Sequence, residues 1–286
     1  MARWAYVNGR YVPHTLAAVH VEDRGYQFAD GVYEVVTLLD GRFADLDGHM
    51  ARLDRSLKEL RIAWPVAPRV LDFVVRELVR RNGVRNGSVY LQVTRGVAPR
   101  DFRFPDDTPS SLVVTTRRVQ QWAKPGQLSD GVAVITIPDI RWARRDIKTV
   151  ALLPQALGKQ QAAEAGAYEA WMVDPDGTVT EGTSANAWIV TPAGVLVTRE
   201  ASPRILNGVT RLSLLRLARE RGVPVEERPF TVAEALDARE AFLSSAGTFA
   251  MPVTRIDGRA VGDGKPGALT MALRQAYIDH VLGTPA

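Results

Sequence analysis

Cysteine is absent from the 286 residues of this chain, and only four histidines occur. Without cysteine, disulfide bonds and thiolate metal sites are excluded. The histidines are scattered and their spacing matches no metal-binding motif, so structural roles are favoured and no metal site is expected. They are His14, His20, His49 and His280.

Long apolar runs are also lacking. No segment approaches the ~20 apolar residues that a membrane-spanning helix needs. The first residues lack the apolar core of a secretory signal peptide. We therefore expect a cytoplasmic protein with no membrane partner.

A large excess of one charge is lacking too, because 36 lysines and arginines face 32 acidic residues, a net charge of +4. The basic residues occur singly or in pairs between acids, which is typical of solvated helix faces and not of a nucleic-acid-binding stripe. We expect no nucleic acid partner. Some of the positive charge is available for small anions such as phosphates and carboxylates.

The composition, with 46% hydrophobic and 24% charged residues, is typical of a soluble globular enzyme. The length suits one large domain or two ordinary ones. A polar segment at 119–129 contains Pro125-Gly126 and predicts a link between domains. We predict a first domain at 1–120, a linker at 121–130 and a second domain at 131–286.

Periodic patterns predict alternating helices and strands, and hence a mixed α/β fold. Asn8-Gly9 between short apolar runs predicts a tight hairpin. Asp47 and Thr210 are predicted N-caps, and Gly25 and Gly31 are predicted turn residues. Helices are expected at 47–60, 69–82, 152–165, 211–221 and 268–282, and strands at 32–39, 88–95, 111–117, 132–137, 168–173 and 241–244, with a hairpin at 253–261.

Lys148 stands near the middle of the chain, between Ile147 and the mostly apolar run 150–153. A desolvated lysine offers a neutral amine that can attack a carbonyl carbon. The alternative is a lysine at a strand end whose ammonium reaches water. From this stretch alone, the surface lysine is favoured.

Two arginines and a tyrosine are further candidates. Tyr33 is either a core residue or a hydroxyl that lines a pocket. Arg52, on the apolar stripe of a helix, is either solvated or holds a phosphate with two hydrogen bonds. Arg100 lies on the irregular loop 96–105 and is either solvated or a two-pronged carboxylate ligand.

The second half of the chain adds an acid and two anion-binding stretches. Glu181 is either a surface carboxylate or an internal partner of a cation. The following residues 182–184, ending at Ser184, offer N–H and hydroxyl groups to an anion. Thr210 begins a helix whose N-terminus is either capped in the ordinary way or a phosphate site.

Taken in order, these stretches resemble the class-IV (fold-type IV) pyridoxal-phosphate aminotransferases, and within that family the D-amino acid aminotransferases. The similar segments span most of the chain. They are DRGYQF (23–28), YEVV (33–36), HMARL (49–53), QVTRG (92–96) with Pro99-Arg100, DIRW (139–142), DIK (146–148), TEG (180–182) with Asn186, and NGVTR (207–211).

The resemblance implies a smaller N-terminal α/β domain and a larger C-terminal pseudo-barrel domain, with pyridoxal 5'-phosphate between them. It implies that Lys148 forms the Schiff base with the cofactor and that Glu181 faces the pyridine nitrogen. The residues implied around the phosphate are Arg52, Ser184, Val209, Thr210 and Ala246.

For the substrate, the resemblance implies that Tyr33 and Arg100 bind the carboxylate, with Arg100 reaching across from the partner in a homodimer. The implied reaction converts D-alanine and 2-oxoglutarate into pyruvate and D-glutamate, through a 1,3-proton transfer by Lys148. Two positions depart from the family pattern. Phe102 replaces a histidine that helps to bind the carboxylate, with Arg103 as a possible substitute, and Ala246 replaces a hydroxyl residue near the phosphate.

The departures leave alternatives open within the same fold. A branched-chain L-amino acid transaminase and an (R)-amine transaminase are close alternatives. Aminodeoxychorismate lyase, which releases pyruvate without an amino acceptor, is less favoured. A nucleic-acid-binding protein is the least favoured interpretation.

Overall fold

A computed structural model describes residues 3–284. The described residues up to Gln120, together with Ile147–Ala151, form one compact unit. Gln121–Asp146 and the described residues from Leu152 onward form a second. The lysine segment therefore belongs with the first unit, although the chain on both sides of it belongs to the second.

The first unit is a six-stranded antiparallel sheet with helices packed on it. The order of its strands is β2-β1-β6-β5-β3-β4. Its elements are β1 (Trp4–Val7), β2 (Arg10–Pro13), α1 (Arg24–Phe28), β3 (Gly31–Leu39), β4 (Arg42–Phe43), α2 (Leu46–Glu59), α3 (Pro68–Asn82), β5 (Gly87–Thr94) and β6 (Ser111–Arg118).

The core of this unit forms where α2 and α3 lay their apolar faces on the sheet. Leu53 and Leu57 of α2 and Leu71 and Leu78 of α3 are almost completely buried. Their spacing of four and seven residues puts each pair on one helix face. Burial of these side chains stabilises the unit by about 1.5–3 kcal/mol each.

The second unit has a mixed nine-stranded sheet in the order β12-β11-β10-β13-β14-β7-β8-β9, with β15 paired to β14. Strand β7 runs parallel to both of its neighbours, β14 and β8. The elements are β7 (Val132–Pro138), α4 (Leu153–Glu164), β8 (Glu169–Val173), β9 (Val179–Gly182), β10 (Asn186–Val190), β11 (Leu196–Thr198), α5 (Val209–Glu220), β12 (Val225–Glu227), α6 (Val232–Leu236), β13 (Glu240–Ser245), β14 (Phe249–Ile256), β15 (Arg259–Ala260) and α7 (Ala268–Leu282). The mixed α/β class predicted from the sequence is confirmed.

The predicted link at 121–130 is part of the second unit and packs on its core. The ring of Trp122 lies 5.4 Å from that of Phe249 in β14. Ala123 and Leu128 also pack on the apolar core of this unit. The limits of the functional domains, 1–120, 121–130 and 131–286, stay a prediction.

Several local predictions are confirmed. Asn8 and Gly9 have φ of 42° and 90°, as a type I′ hairpin turn requires. Helix α7 has the predicted bounds. Gly83 ends α3 in the left-handed conformation, with φ of 56°.

Other local predictions are wrong. Asp45 precedes α2, so Asp47 lies in the first turn, where its charge favours the helix dipole. Gly208 precedes α5, so Thr210 is inside that helix and not its N-cap. Gly25 is helical, because the Asp23 side chain accepts a hydrogen bond from its N–H and begins α1.

Gly31 is a strand residue and not a turn residue. A Cβ atom there would lie 2.8 Å from the Val93 carbonyl oxygen on the neighbouring strand, so the close approach of two backbones explains the glycine.

Within residues 3–284, no helix is both long enough and apolar enough to cross a membrane.

Candidate active site

In the first unit, the segment that carries Lys148 runs beside β3. The N–H of Tyr33 donates to the Lys148 carbonyl at 3.0 Å, and the N–H of Val150 donates to the Gly31 carbonyl at 3.1 Å. Thr149 forms an isolated bridge with Val32. Backbone hydrogen bonds on both sides of Lys148 therefore fix its position along the strand.

The Lys148 amine lies against an aromatic ring. Its Nζ is 4.2 Å from the centroid of Tyr33, and the side chain is half-buried. Tyr33 packs on Tyr90, with the ring centroids 5.6 Å apart. Burial and the neighbouring Tyr33 raise the pKa of Tyr90 to about 12, so its phenol remains neutral. The sequence predicted Tyr33 and Lys148 as separate candidates, and the fold brings them into contact.

Arg52 in α2 is held by a carboxylate that the sequence analysis did not single out. Its Nε and Nη2 donate to the two oxygens of Glu34, each at 2.7 Å. The Nδ1 atom of His49 is 2.7 Å from Glu34 Oε2. A two-pronged pair fixes the plane of the guanidinium as well as its position.

Glu34 is fully buried on the face of β3 opposite to Tyr33, because side chains alternate along a strand. Burial alone would raise the pKa of its carboxyl, but Arg52 and His49 outweigh that effect and lower it to about 2. Glu34 is therefore ionised at neutral pH. A charged residue inside the apolar run of β3 is the sequence signal that could have identified it.

The loop 96–105 places Arg100 and Phe102 at the surface of the first unit. The Arg100 guanidinium lies 5.1 Å from the ring centroid of Phe28 and 5.7 Å from that of Phe102. Arg24 Nη1 donates to the Asp101 carbonyl at 2.6 Å and ties this loop to α1. Arg103, the possible substitute for the missing histidine, is bonded to the Asp101 carboxylate.

In the second unit, Glu181 of β9 is buried, with 4% exposure, and takes several hydrogen bonds. Its Oε1 accepts from Arg141 Nη1 at 2.5 Å, and its Oε2 accepts from Asn186 Nδ2 at 3.0 Å. The N–H of Leu206 lies 3.1 and 3.2 Å from the two oxygens. These three donors make four contacts with the carboxylate, two on each oxygen.

The pKa of Glu181 depends on its burial and on the groups that donate hydrogen bonds to it. Burial raises the pKa of its carboxyl above the usual range, and Arg141 and the Leu206 N–H oppose this shift without cancelling it. The pKa of Arg141 is raised, because Glu181 and Asp139 outweigh the effect of its burial. The guanidinium is therefore charged, and it is the cation that contacts Glu181.

The N-terminus of α5 is the predicted phosphate-binding helix end. Val209 and Thr210 form its first turn, and both are buried. Gly208 lies against Asn186, since a Cβ atom at Gly208 would be 2.2 Å from Asn186 Oδ1. The donor to Glu181 therefore packs directly against this helix end.

Ser184 and Ala246 are further predicted phosphate neighbours. Ser184 is exposed, and its hydroxyl donates to Glu169 Oε2 at 2.8 Å. Ala246 lies in the turn after β13, between Ser245 and Thr248, whose hydroxyl oxygens are 2.8 Å apart. Ala246 lacks the hydroxyl of the family pattern, but Ser245 and Thr248 carry hydroxyls close to it. The sequence analysis did not identify these two hydroxyls as substitutes.

The comparisons with known proteins give the family. The model of the family described as "Amino-transferase class IV" matches residues 31–256. A D-alanine aminotransferase of Bacillus licheniformis is 42% identical over 279 residues, which is 98% of this chain and 97% of the relative. A D-alanine aminotransferase of Staphylococcus haemolyticus is 36% identical over 277 residues, 96% of this chain and 97% of the relative.

Solved structures agree on the fold. The PLP-form of the branched-chain amino acid aminotransferase from Thermobaculum terrenum superposes with a TM-score of 0.85 at 25% identity, covering 99% of this chain and 95% of that one. The Escherichia coli branched-chain amino acid aminotransferase gives a TM-score of 0.91 at 23% identity, with coverage of 100% and 96%. At 23% identity the similarity concerns the fold alone.

The chain belongs to the class-IV aminotransferases. It is a pyridoxal-phosphate-dependent transaminase, as the resemblance implied. Each unit carries groups whose chemistry suits this cofactor. The first unit has an amine beside a ring, which suits an aldehyde. The second has a buried carboxylate, which suits a pyridine nitrogen, and a helix N-terminus, which suits a phosphate.

Proposed function

We propose that this enzyme transfers the amino group of D-amino acids to 2-oxo acids. D-alanine and 2-oxoglutarate are the proposed pair, with pyruvate and D-glutamate as products. The observation that carries the proposal is similarity over nearly the whole chain to relatives named D-alanine aminotransferase, at 42% and 36% identity. The two structural neighbours named for branched-chain amino acids have lower identities, 25% and 23%.

In this proposal Lys148 forms the covalent bond to the cofactor aldehyde, and Glu181 accepts a hydrogen bond from the pyridine nitrogen. When bound, the cofactor withdraws electrons from the substrate α-carbon. The buried setting of Glu181 and its contact with Arg141 support that role. The Glu181 carboxylate favours a positive charge on the pyridine nitrogen, and that charge is the source of the electron withdrawal.

Five residues are the proposed phosphate ligands. Arg52 contributes a guanidinium whose orientation Glu34 fixes. Val209 and Thr210 contribute the N–H groups of a helix N-terminus, which attracts anions. Ser184 and the backbone of Ala246 complete the proposed set.

The amine of Lys148 would be free once the substrate amine replaces it at the cofactor aldehyde, and it is then the proposed general base. Its Nζ takes the α-proton of the substrate and later returns a proton, which is the 1,3-transfer expected from the sequence. Contact with the Tyr33 ring and backbone bonds on both sides restrict its motion. A base held in place contributes typically ~10²–10⁴-fold to a proton-transfer rate.

Tyr33 and Arg100 are the proposed ligands of the substrate carboxylate, with Phe102 next to them. Arg100 and Phe102 are exposed in the single chain, and 80% of the Phe102 side chain is accessible. Such exposure supports the expectation that Arg100 serves the site of a partner subunit.

A homodimer is therefore part of the proposal. Large apolar side chains are exposed on two segments, 16–28 and 96–104. A hydrogen bond from Arg24 to the Asp101 carbonyl joins these segments. Exposed apolar surface of this kind marks protein–protein interfaces. The exposed residues are Leu16, Val19, Val21, Tyr26, Val97, Phe102 and Phe104.

Light scattering of the purified protein tests the dimer, and a monomeric mass at all concentrations would contradict it. Cell fractionation tests the expected cytoplasmic location, which stays a prediction.

A substrate panel tests the proposed reaction. With 2-oxoglutarate as acceptor, we expect turnover of D-alanine to exceed that of L-leucine and (R)-1-phenylethylamine. A preference for L-leucine would favour the branched-chain alternative, and a preference for the amine would favour the (R)-amine transaminase. Release of pyruvate from aminodeoxychorismate without any acceptor would indicate the lyase.

A further inference from the structure

Arg141 lies between two buried carboxylates and touches each with a different edge. Its Nη1 donates to Glu181, while Nε and Nη2 donate to Asp139 at 3.0 and 2.7 Å. Only 6% of its side chain is exposed. A guanidinium held on two edges has one orientation, and it imposes that orientation on the Glu181 oxygen it contacts.

Asp139 is itself fixed from three directions. Its Oδ2 accepts a hydrogen bond from the Thr180 hydroxyl at 2.7 Å and lies 3.2 Å from Arg145 Nη1. Its Oδ1 accepts from the backbone N–H of Arg141 at 3.1 Å. Thr180 precedes Glu181 in β9, so the clamp on Arg141 is anchored on the strand that carries Glu181.

We propose that Arg141 is the positioning residue for Glu181, and that its guanidinium fixes the carboxylate in place and supplies the positive charge that offsets its burial. This rests on the proposed role of Glu181 toward the pyridine nitrogen. The residue touches neither substrate nor cofactor in this account, and it acts through Glu181.

The charges around Glu181 explain why the position needs an arginine. A buried carboxylate without a cation is costly, and Asp139 adds repulsion that raises the pKa of Glu181 further. Arg141 opposes both effects. A lysine would keep one positive charge, but its compact ammonium lacks the planar fork by which a guanidinium fixes the orientation of a carboxylate.

Arg141→Gln removes the charge and shortens the side chain. In cofactor-free protein, we expect the infrared band of the protonated Glu181 carboxyl to persist to a higher pH in Arg141→Gln than in wild type. The band should vanish in the double variant Arg141→Gln/Glu181→Gln, which assigns it to Glu181. A band that disappears at the same pH in Arg141→Gln and in wild type would overturn the proposal.

In the loaded enzyme, Arg141→Gln should shift the pH midpoint of the cofactor absorbance by about one unit or more. Its kcat should fall by about 10- to 100-fold, as for outer residues that orient metal ligands, with KM for D-alanine nearly unchanged. An unshifted midpoint with wild-type kcat would also overturn the proposal.

Arg141→Lys is the second variant and serves if the glutamine variant does not fold. It keeps the cation but loses the two-edged clamp, so kcat should still fall by about 10-fold. A wild-type kcat in Arg141→Lys would show that orientation by Arg141 is unnecessary.

The matched control is Arg204→Gln. Arg204 pairs with Asp174 and Asp176 in the same unit, but it is half-exposed and does not contact Glu181. It should leave the infrared band, absorbance midpoint and kcat as in wild type. If wild type bound no cofactor, the proposed function would fail, while the infrared result would still decide the role of Arg141.

Discussion

Glu34→Gln removes the buried carboxylate that holds Arg52 and His49. The pKa of Glu34 falls from 4.5 to about 2 in the folded protein. At ~1.4 kcal/mol per pKa unit, the ionised carboxylate contributes about 3 kcal/mol to the free energy of unfolding. Glu34 is fully buried, so no reduction for solvent screening applies.

The sign of the pH dependence follows from the direction of this shift. The pKa is lower in the folded state, so the contribution is present above the unfolded value, near pH 4.5. It is lost as the pH falls from about 5 toward about 2. At neutral pH the variant should therefore be less stable than wild type by about 3 kcal/mol, with Arg52 left without its partner.

Urea denaturation between about pH 7 and about pH 3 measures this difference. The gap between wild type and Glu34→Gln should be largest near neutrality and should shrink on acidification. Asp72→Asn is the control, because it makes the same chemical change in an exposed pair with Arg76 on α3. A gap that is constant across the range would refute the reasoning.

Two other substitutions test the proposed carboxylate ligand Arg100 and the packing of Gly208 at the start of α5. Arg100→Ala should raise KM for 2-oxoglutarate by about 10-fold or more with kcat little changed, since it removes ground-state binding of a carboxylate. Arg103→Ala is the control and should leave this KM unchanged, because the Arg103 guanidinium is bonded to Asp101. Equal increases of KM in the two variants, measured by steady-state kinetics, would count against Arg100. Gly208→Ala should destabilise the protein by about 1–3 kcal/mol in denaturant unfolding, because its Cβ would displace Asn186. Unchanged stability would contradict this contact.

Local patterns in the sequence predicted much of the fold. The bounds of α7 and the turn at Asn8-Gly9 depend on neighbouring residues, and they were predicted correctly. The start of α2 was not, because Asp45 begins it in a left-handed conformation that no pattern indicated. Short elements such as β12 and α6 lack enough residues to show a period.

The candidate site depended on contacts between distant residues. Lys148 meets Tyr33 because the segment 147–151 returns to β3, which no local pattern predicts. Arg141 meets Glu181 across 40 residues of chain. The resemblance supplied the candidate residues, whereas the groups that hold them in place came from the tertiary structure.

The covalent role of Lys148 is the central claim, and borohydride reduction followed by peptide mapping tests it most directly. Lys159 is the matched control, because its Nζ also lies close to an aromatic ring, 4.6 Å from the centroid of Tyr168. We predict that the reduced cofactor is found on Lys148, that Lys148→Ala loses both the label and turnover, and that Lys159→Ala keeps them. A label that persists in Lys148→Ala would contradict the account.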